Sequence, residues 1–490
     1  MMQKFKQSVT TCKWITLLAA TSILAGCSTN AATGERQFTG LMSPQKENQI
    51  GASQHEQALK AYGGLYEDQK LQNYVTEIGN RLAKYSERKD VQYRFFLLNS
   101  PVVNAFAVPG GYIYVTRGLL AYTNSEAELA GVMAHEMGHI TGRHSAERYS
   151  TGVLTQIGAT IASAAIGSDA ASQALGLGSN LFLSSYSRGQ ESEADRLGVR
   201  YLSYAGYDDH ALSEFLESLN MESQLQARIN KQQAAPSFFA THPNTEKRVV
   251  EAEAEAQKFP ANDEVTNRDR HLSMLDGMVF GDSADQGFVK GTTFYHPELG
   301  FTFKAPTGWH IANETSQVIA KSDSGTSALI LDAANNKAGL SPARYITDVW
   351  MKSAANAAVP ETTSVNGMNA ATTTFGGTLN GQAVTIRVFA ISFDANTIYR
   401  FQAAYPKGDT ATEAALRNAI FSFRHLKAGE ADNIQPYRLK IFTAGASDTV
   451  ASVASRLPYP DYKEERFRAL NRLPGNAGLQ VGRRYKTVVE

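Results

Sequence analysis

Cysteine is almost missing from this chain: its 490 residues include only Cys12 and Cys27. A disulfide framework is therefore not what holds it together, and stability must come from packed cores or a metal. A surplus of either charge is also missing. Lysine plus arginine and aspartate plus glutamate both total 47, so no broad basic field exists to attract a nucleic acid. Long apolar runs are absent as well. Residues 14–26, 153–166 and 175–183 are the main ones, and each falls short of the ~20 residues that a spanning helix needs. What the chain does have is length. It is too long for one ordinary hydrophobic core, which predicts two or three domains, with function carried by local chemistry.

The first thirty residues carry an address. Lys4, Lys6 and Lys13, with no acid among them, precede the apolar run 14–26, so residues 1–26 read as a secretory signal peptide. The run ends Leu24, Ala25, Gly26, Cys27, which resembles the lipobox of bacterial lipoproteins. That resemblance implies that Cys27 is acylated and becomes the mature N-terminus, tethering the chain without threading it through the bilayer. Ser28 after the cysteine implies sorting to the outer membrane of a Gram-negative cell, facing the periplasm. The alternative is an ordinary cleaved signal beside a chance cysteine. Subtracting the three signal lysines from 47 leaves 44 basic against 47 acidic residues, so the mature chain is near neutral. Residues 27–42, rich in Ser, Thr, Ala, Asn and Gly, are expected to be a flexible lipidated tether.

Hydrophobic periodicity divides the remainder. Residues 43–262 are mainly helical, with helices expected at 45–62, 71–85, 125–141, 211–219 and 245–257 and strands at 91–98 and 112–116. Within them, residues 150–187 are rich in Ala, Gly and Ser, with Asp169 as the single charge. They suit small-residue helices on the core, a lid over it, or a surface facing a membrane or partner. Residues 263–290 are polar and read as a linker. Residues 291–426 read as an α+β domain with strands at 294–304, 327–332, 370–375, 383–393 and 398–404 and helices at 344–357 and 412–422. Its opening, FYHPELGFTFKAPTGWH, resembles modules of the PsbP and Mog-type fold. Residues 435–490 read as strand, helix, helix, strand and faintly resemble a LysM module, which implies peptidoglycan binding. Ser447 replaces the usual glycine before Asp448 and Thr449, and residues 457–462 interrupt the pattern. A structural cap is the alternative.

The chemistry concentrates at His135, Glu136, Met137, Gly138 and His139. Thr123 with Glu126 predicts a capping box, and Ala127 to Ala134 continue without a breaker. On a helix the two histidines lie one turn apart on one face, spaced for a single Zn²⁺, with Glu136 beside the metal and not on it. A catalytic zinc needs a third protein ligand and an open position. One continuation of the motif, that of the metzincins, has Gly142 but Ser145 where a histidine belongs, and His144 is one residue out of register. The other places a glutamate on a later helix, and Glu191, Ser192, Glu193, Ala194, Asp195 supply one.

At this point the chain resembles the gluzincin metalloproteases of the CAAX prenyl protease, HtpX and Oma type, peptidase family M48, including periplasmic lipoprotein members. In that family the later helix reads Glu-x-x-Ala-Asp, which makes Glu191 the third zinc ligand and Asp195 the acid one turn on. The likeness extends to residues 104–111, to Gly118, Leu119 and Leu120, and to His242, Pro243 and Arg248, and covers residues 45–257. Glu193 is a rival ligand, and a surface ion pair with Arg188 is the plain alternative for Glu191. Only Glu191 and Asp195 share a helical face.

The expected fold is thus multidomain: a mainly α, zincin-like protease domain with a small sheet, an α+β domain and a small LysM-like module. One zinc ion per chain, held by His135, His139 and Glu191, would acidify a water whose proton Glu136 takes. Asp195 either donates a proton, as the resemblance implies, or orients His135 or His139. His242, fixed in extended backbone by Pro243, has three readings: a transition-state donor, a fourth ligand that silences the resting site, or a plain surface histidine. The strand at 112–116 is expected to offer an exposed edge to an extended polypeptide. The substrates expected are unfolded or misassembled cell-envelope proteins, with the outer-membrane assembly machinery or peptidoglycan as further partners, the membrane reached through the lipid, and no nucleic acid. A periplasmic chaperone or assembly factor with a latent or structural zinc site is the rival reading. The complete ligand set together with Glu136 favours hydrolysis.

Overall fold

The helix that carries both histidines is buried along its whole length, Glu126–Thr141. Its start differs from the expected capping box. Ser125, in extended backbone, accepts from the Glu128 amide, while the Glu128 side chain reaches back to the Asn124 amide at 2.8 Å. Thr123 instead ends the preceding helix Arg117–Tyr122, and its hydroxyl donates to the Leu120 carbonyl at 2.7 Å. With that hydroxyl committed backward, the cap falls to the next residue able to supply one, Ser125.

The computed structural model of the chain describes residues 27–166, 185–230, 238–243, 245–260, 265–352, 359–379 and 381–490. The signal peptide and the centre of the small-residue stretch, 167–184, lie outside the described residues, as do 353–357 of the helix expected at 344–357. Among the described residues no helix is long and apolar enough to cross a membrane. The chain divides into a helical unit, running to Met278 and resumed at Leu439–Leu457 and Asp461–Val489, and a β-rich unit of Val279–Arg438 with Pro458–Pro460 and Glu490.

The helical unit opens with a two-stranded hairpin, β1 (Cys27–Thr29) and β2 (Arg36–Phe38). Helices α1 (Pro44–Ala61) and α2 (Gln69–Ala83) follow. A three-stranded sheet comes next, of β3 (Arg94–Leu98), β4 (Ala105–Val108) and β5 (Tyr112–Thr116), in the order β3-β5-β4. The turn between β4 and β5 uses Gly110 and Gly111 at φ +83° and +95°, a backbone that favours glycine. Then come α3 (Arg117–Tyr122), α4 (Glu126–Thr141), α5 (His144–Ile166), α6 (Arg188–Tyr204), α7 (Ala211–Asn230), α8 (Thr245–Ala256) and α9 (Arg268–Leu275).

Helices α4 and α6 cross closely because of one small residue. A Cβ on Gly138 would lie 2.8 Å from the Ala194 carbonyl oxygen, so a side chain there would push α6, with Glu191 and Asp195, away from the histidines. Residues 27–42 are not a free tether, since Asn30, Gln37, Thr39 and Met42 are buried. Nor is all of 263–290 an open linker. Helix α9 lies within it and buries His271, Leu272 and Leu275.

The chain returns to the helical unit with β17 (Arg438–Thr443), short helices α11 (Val450–Ala454) and α12 (Lys463–Leu470), and β18 (Arg484–Val489), which pairs with β17. Lys486, fully buried, donates to the carbonyls of Ala121 and Thr123 at 2.8 and 2.7 Å. Arg472 pairs with Glu214 at 2.8 Å and lies 3.6 Å from Glu128 in the first turn of α4. The start of the motif helix is thus held by residues more than three hundred positions later.

The β-rich unit runs β6 (Phe288–Lys290), β7 (Thr293–His296), β8 (Phe301–Lys304), β9 (Trp309–Glu314), β10 (Gln317–Ser322), β11 (Ala328–Asn335), β12 (Glu361–Val365), β13 (Met368–Leu379), β14 (Gln382–Ser392), β15 (Thr397–Pro406), helix α10 (Thr410–Phe421) and β16 (Arg424–His425). Seven strands form one antiparallel sheet in the order β12-β13-β14-β15-β11-β10-β9, and four form a second, β16-β8-β7-β6. Alternate residues of both feed one core around Phe294, Phe301, Phe303, Phe389, Phe401 and Phe423.

Candidate metal centre

His135, His139, Glu191 and His242, all buried, bring one ligand atom each to within 4.8 Å of one another. His135 and His139 come from adjacent turns of α4 and Glu191 from the first turn of α6. His242 follows the short helix Phe238–Thr241, where Phe238 stacks on its ring at 4.2 Å. The loop that carries the histidine therefore arrives inside the site and not on the surface.

Each of the two α4 histidines is turned toward a common centre by a partner behind it. Asp195 Oδ1 lies 2.8 Å from His135 Nδ1, and His144 Nδ1 lies 2.8 Å from His139 Nδ1. The far ring nitrogens, both Nε2, then face each other at 3.0 Å. Two lone pairs at that distance repel unless a proton or a cation lies between them. Neither carboxylate oxygen of Glu136 has a hydrogen-bond partner among the described residues, although the side chain is buried. Converging imidazole and carboxylate donors with an unpaired buried carboxylate beside them fit a divalent zinc-type cation and its water.

Arg248 binds the carboxylates together. Its Nε and Nη2 reach Asp195 at 2.7 Å each, a two-pronged pair, and Nη1 lies 2.7 Å from Glu191 Oε2. Burial opposes the charge on Asp195, yet Arg248 and His135 hold it well below the usual carboxylate range. Burial likewise opposes Glu191, and His242 and Arg248 keep it ionised. Burial, with the neighbouring His135 and His144, drives His139 well below the ordinary imidazole range, leaving it neutral as a ligand must be. Burial raises Glu136, with His242 and His135 only partly offsetting the rise, toward a basicity useful for holding a proton.

Two neighbours gain meaning from the fold. His144, one residue out of register for a ligand, stands behind His139, with its other nitrogen 3.5 Å from Glu193. Glu193, the rival ligand, is thus turned away from the centre, as the helical phase requires. Tyr186 is a residue that sequence reasoning missed: its ring stacks on His139 at 3.8 Å. It sits just before Ser187, the cap of α6, and no spacing in the sequence marks it.

The expectation of an exposed edge at 112–116 is corrected. β5 is the central strand, paired on one side with β3 and on the other with β4, so its backbone groups are consumed. The edge beside α4 is β4. Because the Thr116 amide bonds the Asn104 carbonyl, antiparallel alternation directs the backbone groups of Ala105 and Ala107 away from β5. A cavity of about 20 Å³ lies between this strand and His139, lined by Ala107, Val108, Ile140 and Tyr186 among others.

Comparison with known proteins places these residues. The description of peptidase family M48 matches residues 69–256. The chain is 31% identical over 221 residues to the beta-barrel assembly-enhancing protease of Yersinia pestis, covering 43% of this chain and 44% of that protein. It is 30% identical over 182 residues to the mitochondrial metalloendopeptidase OMA1 of Schizosaccharomyces pombe, covering 37% and 51%. The chain thus spans about half the length of these relatives or less. Among solved structures, cyanobacterial PsbP from Synechocystis aligns over 28% of this chain and 94% of its own, at 12% identity and a TM-score of 0.23, too low to characterise the β-rich unit. The matched segment holds the whole constellation, from the sheet beside α4 to Arg248, so it is over residues 69–256 that the chain is similar to peptidase family M48.

Proposed function

We propose that the chain is a zinc-dependent metalloendopeptidase that cleaves unfolded or misassembled proteins of the cell envelope. One observation carries the reading: a buried carboxylate that accepts no hydrogen bond among the described residues, Glu136, stands beside a converging two-histidine, one-glutamate site, with His242 Nε2 3.5 Å from its Oε1. A structural site has no use for such a carboxylate. His135, His139 and Glu191 would hold the ion, which when bound polarises a peptide carbonyl and makes a water acidic near neutral pH. Glu136 takes the proton from that water and delivers it to the leaving amine. Asp195 fixes His135 through Nδ1 while Arg248 keeps Asp195 ionised, which supports an orienting role over proton donation. The outward backbone of Ala105 and Ala107 lets an extended peptide add as a strand, a recognition weak in sequence preference and suited to unfolded chains.

His242 acts as a fourth ligand that holds the resting site closed. Its Nδ1 lies 3.3 Å from His135 Nε2 and 3.0 Å from Glu191, within the cluster and not beyond it. Lipidation of Cys27 holds the enzyme at the periplasmic face of the outer membrane, and the segment from residue 435 is a LysM-like module that contacts peptidoglycan or the assembly machinery. The names of the relatives, assembly-enhancing protease and metalloendopeptidase, support the endopeptidase reading.

The test is cleavage of an unfolded protein by zinc-loaded wild type, Glu136→Gln and His242→Ala. Glu136→Gln retains zinc and loses cleavage by at least about 10³-fold, since a general base contributes on the order of 10²–10⁴. His242→Ala cleaves faster than wild type. Equal cleavage by wild type and Glu136→Gln sinks the hydrolytic mechanism, and slower cleavage by His242→Ala makes that histidine a transition-state donor.

A further inference from the structure

A helix of this length leaves its last carbonyls unpaired unless something caps them. At the end of α4 two of them are capped from an unexpected place. Asn30 Nδ2 donates to the Thr141 carbonyl at 2.9 Å, and Gln37 Nε2 donates to the Gly142 carbonyl at 2.6 Å. The two amides are also joined, Asn30 Nδ2 donating to Gln37 Oε1 at 3.2 Å. Both residues are buried and both belong to the N-terminal hairpin, the segment that begins at Cys27.

The turn they grip lies between His139 and the residue that orients it. Arg143 has φ +53°, a left-handed backbone unusual for a non-glycine residue. Its guanidinium is held by Glu47 Oε1 at 2.8 Å, the Met42 carbonyl at 2.7 Å and the Thr39 hydroxyl at 3.1 Å. A Cβ on Gly142 would collide with the ring of His144. This tight reversal brings His144 back onto His139. Carbonyl caps and backbone reversal both lead from residues 30–42 to the imidazole behind a metal-binding histidine.

We propose that the N-terminal hairpin is a positioning element of the metal centre: Asn30 and Gln37 fix the turn that sets His144 behind His139. The proposal rests on the reading of His139 as a zinc ligand. It makes the segment next to Cys27 part of the active-site scaffold, so the site cannot swing on a free tether.

Isosteric variants of the full chain test it. Asn30→Asp keeps the oxygen that accepts from the Ala32 and Thr33 amides and turns the donor facing Thr141 into an acceptor. Gln37→Glu does the same at Gly142. Zinc affinity is measured by competition with a chelator, kcat and KM on an unfolded protein, and thermal stability in the absence of metal, with the exposed Arg36→Ala as control. Each isosteric variant is expected to weaken zinc binding about 10- to 100-fold and to lower kcat with KM unchanged, while Arg36→Ala matches wild type. Zinc affinity within twofold of wild type in both variants overturns the proposal, even if both melt earlier, because hairpin packing alone would then explain the contacts. If Gln37→Glu does not fold, Asn30→Asp carries the test. Wild type and His242→Ala that both bind zinc without cleaving defeat the protease reading and leave the affinity comparison intact; wild type that binds no zinc defeats both.

Discussion

The two units bury different things. Around the metal centre the interior is polar: His135, Glu136, His139, His144, Glu191, Asp195, His242 and Arg248 are each no more than 2% exposed. The core of the β-rich unit is phenylalanine and aliphatic side chains, and its buried polar residues are chiefly single threonines, serines and an asparagine. Burying charge costs stability unless each group is paired, so evolution retains such clusters where chemistry repays them. The difference sets a unit whose interior carries charged, converging side chains against one whose interior is packing alone. It also predicts that damage will look different in the two places.

The largest effect is expected from Arg248→Ala, which takes from the buried Asp195 and Glu191 the permanent cation that pairs them and leaves them only His135 and His242. A loss of about 3–5 kcal/mol in stability, accompanied by loss of zinc binding, would be read by urea unfolding and metal analysis. Normal zinc binding in that variant would remove the arginine from the site's support. Next, Phe301→Ala in the β-rich core should cost about 3–4 kcal/mol through the cavity it leaves and leave zinc affinity untouched. A joint loss of zinc would show that the two regions do not behave as separate stability units.

A third effect depends on pH. His271 is buried between the Tyr74 hydroxyl and the Thr123 hydroxyl, both at 2.9 Å, and burial, with Lys486 nearby, lowers it to about 3. The unfolded chain therefore takes up this proton first as pH falls below about 6.5. Its contribution is intact above that value and is lost between about 6.5 and 3, amounting to about 2–3 kcal/mol at pH 4.5. Unfolding midpoints from pH 7.5 to 4.5 should fall more steeply in wild type than in His271→Gln, and parallel curves would refute the assignment. The smallest effect expected is from His144→Ala. It should weaken zinc binding by about 1–3 kcal/mol with no change in the unfolding of the β-rich unit, and a value at or below zero would mean that His139 needs no partner.

The sequence exposed the site far better than its surroundings. His135, Glu136 and His139 are readable because one helical turn fixes their geometry locally, and Glu191 with Asp195 because the same periodicity repeats on one later helix. His144 and Tyr186 were unreadable as support, since their position depends on a reversal at Gly142 and Arg143 and on a segment arriving from elsewhere. Strand β4 shows no alternation, because the side chains of all four residues 105–108 are buried, so period-two logic has no signal there. In the β-rich unit the strands at 309–314 and 317–322 were overlooked, because their half-exposed residues show little apolar contrast. Residues 27–42 looked like a tether by composition. Apart from Met42, their buried side chains, Asn30, Gln37 and Thr39, are polar, and polar burial leaves no hydrophobic trace.

The grip of Lys486 on Ala121 and Thr123 sets an order for the birth of this molecule. A chain emerging from its N-terminus presents the motif helix early, but the lysine that secures the start of that helix comes only after the whole β-rich unit has been made. Domain-by-domain completion, the usual course for a growing chain, is closed to the helical unit. Its contacts close a loop of more than three hundred residues, a slow step by topology. A half-made copy is thus a half-built one, and the start of its motif helix is secured last.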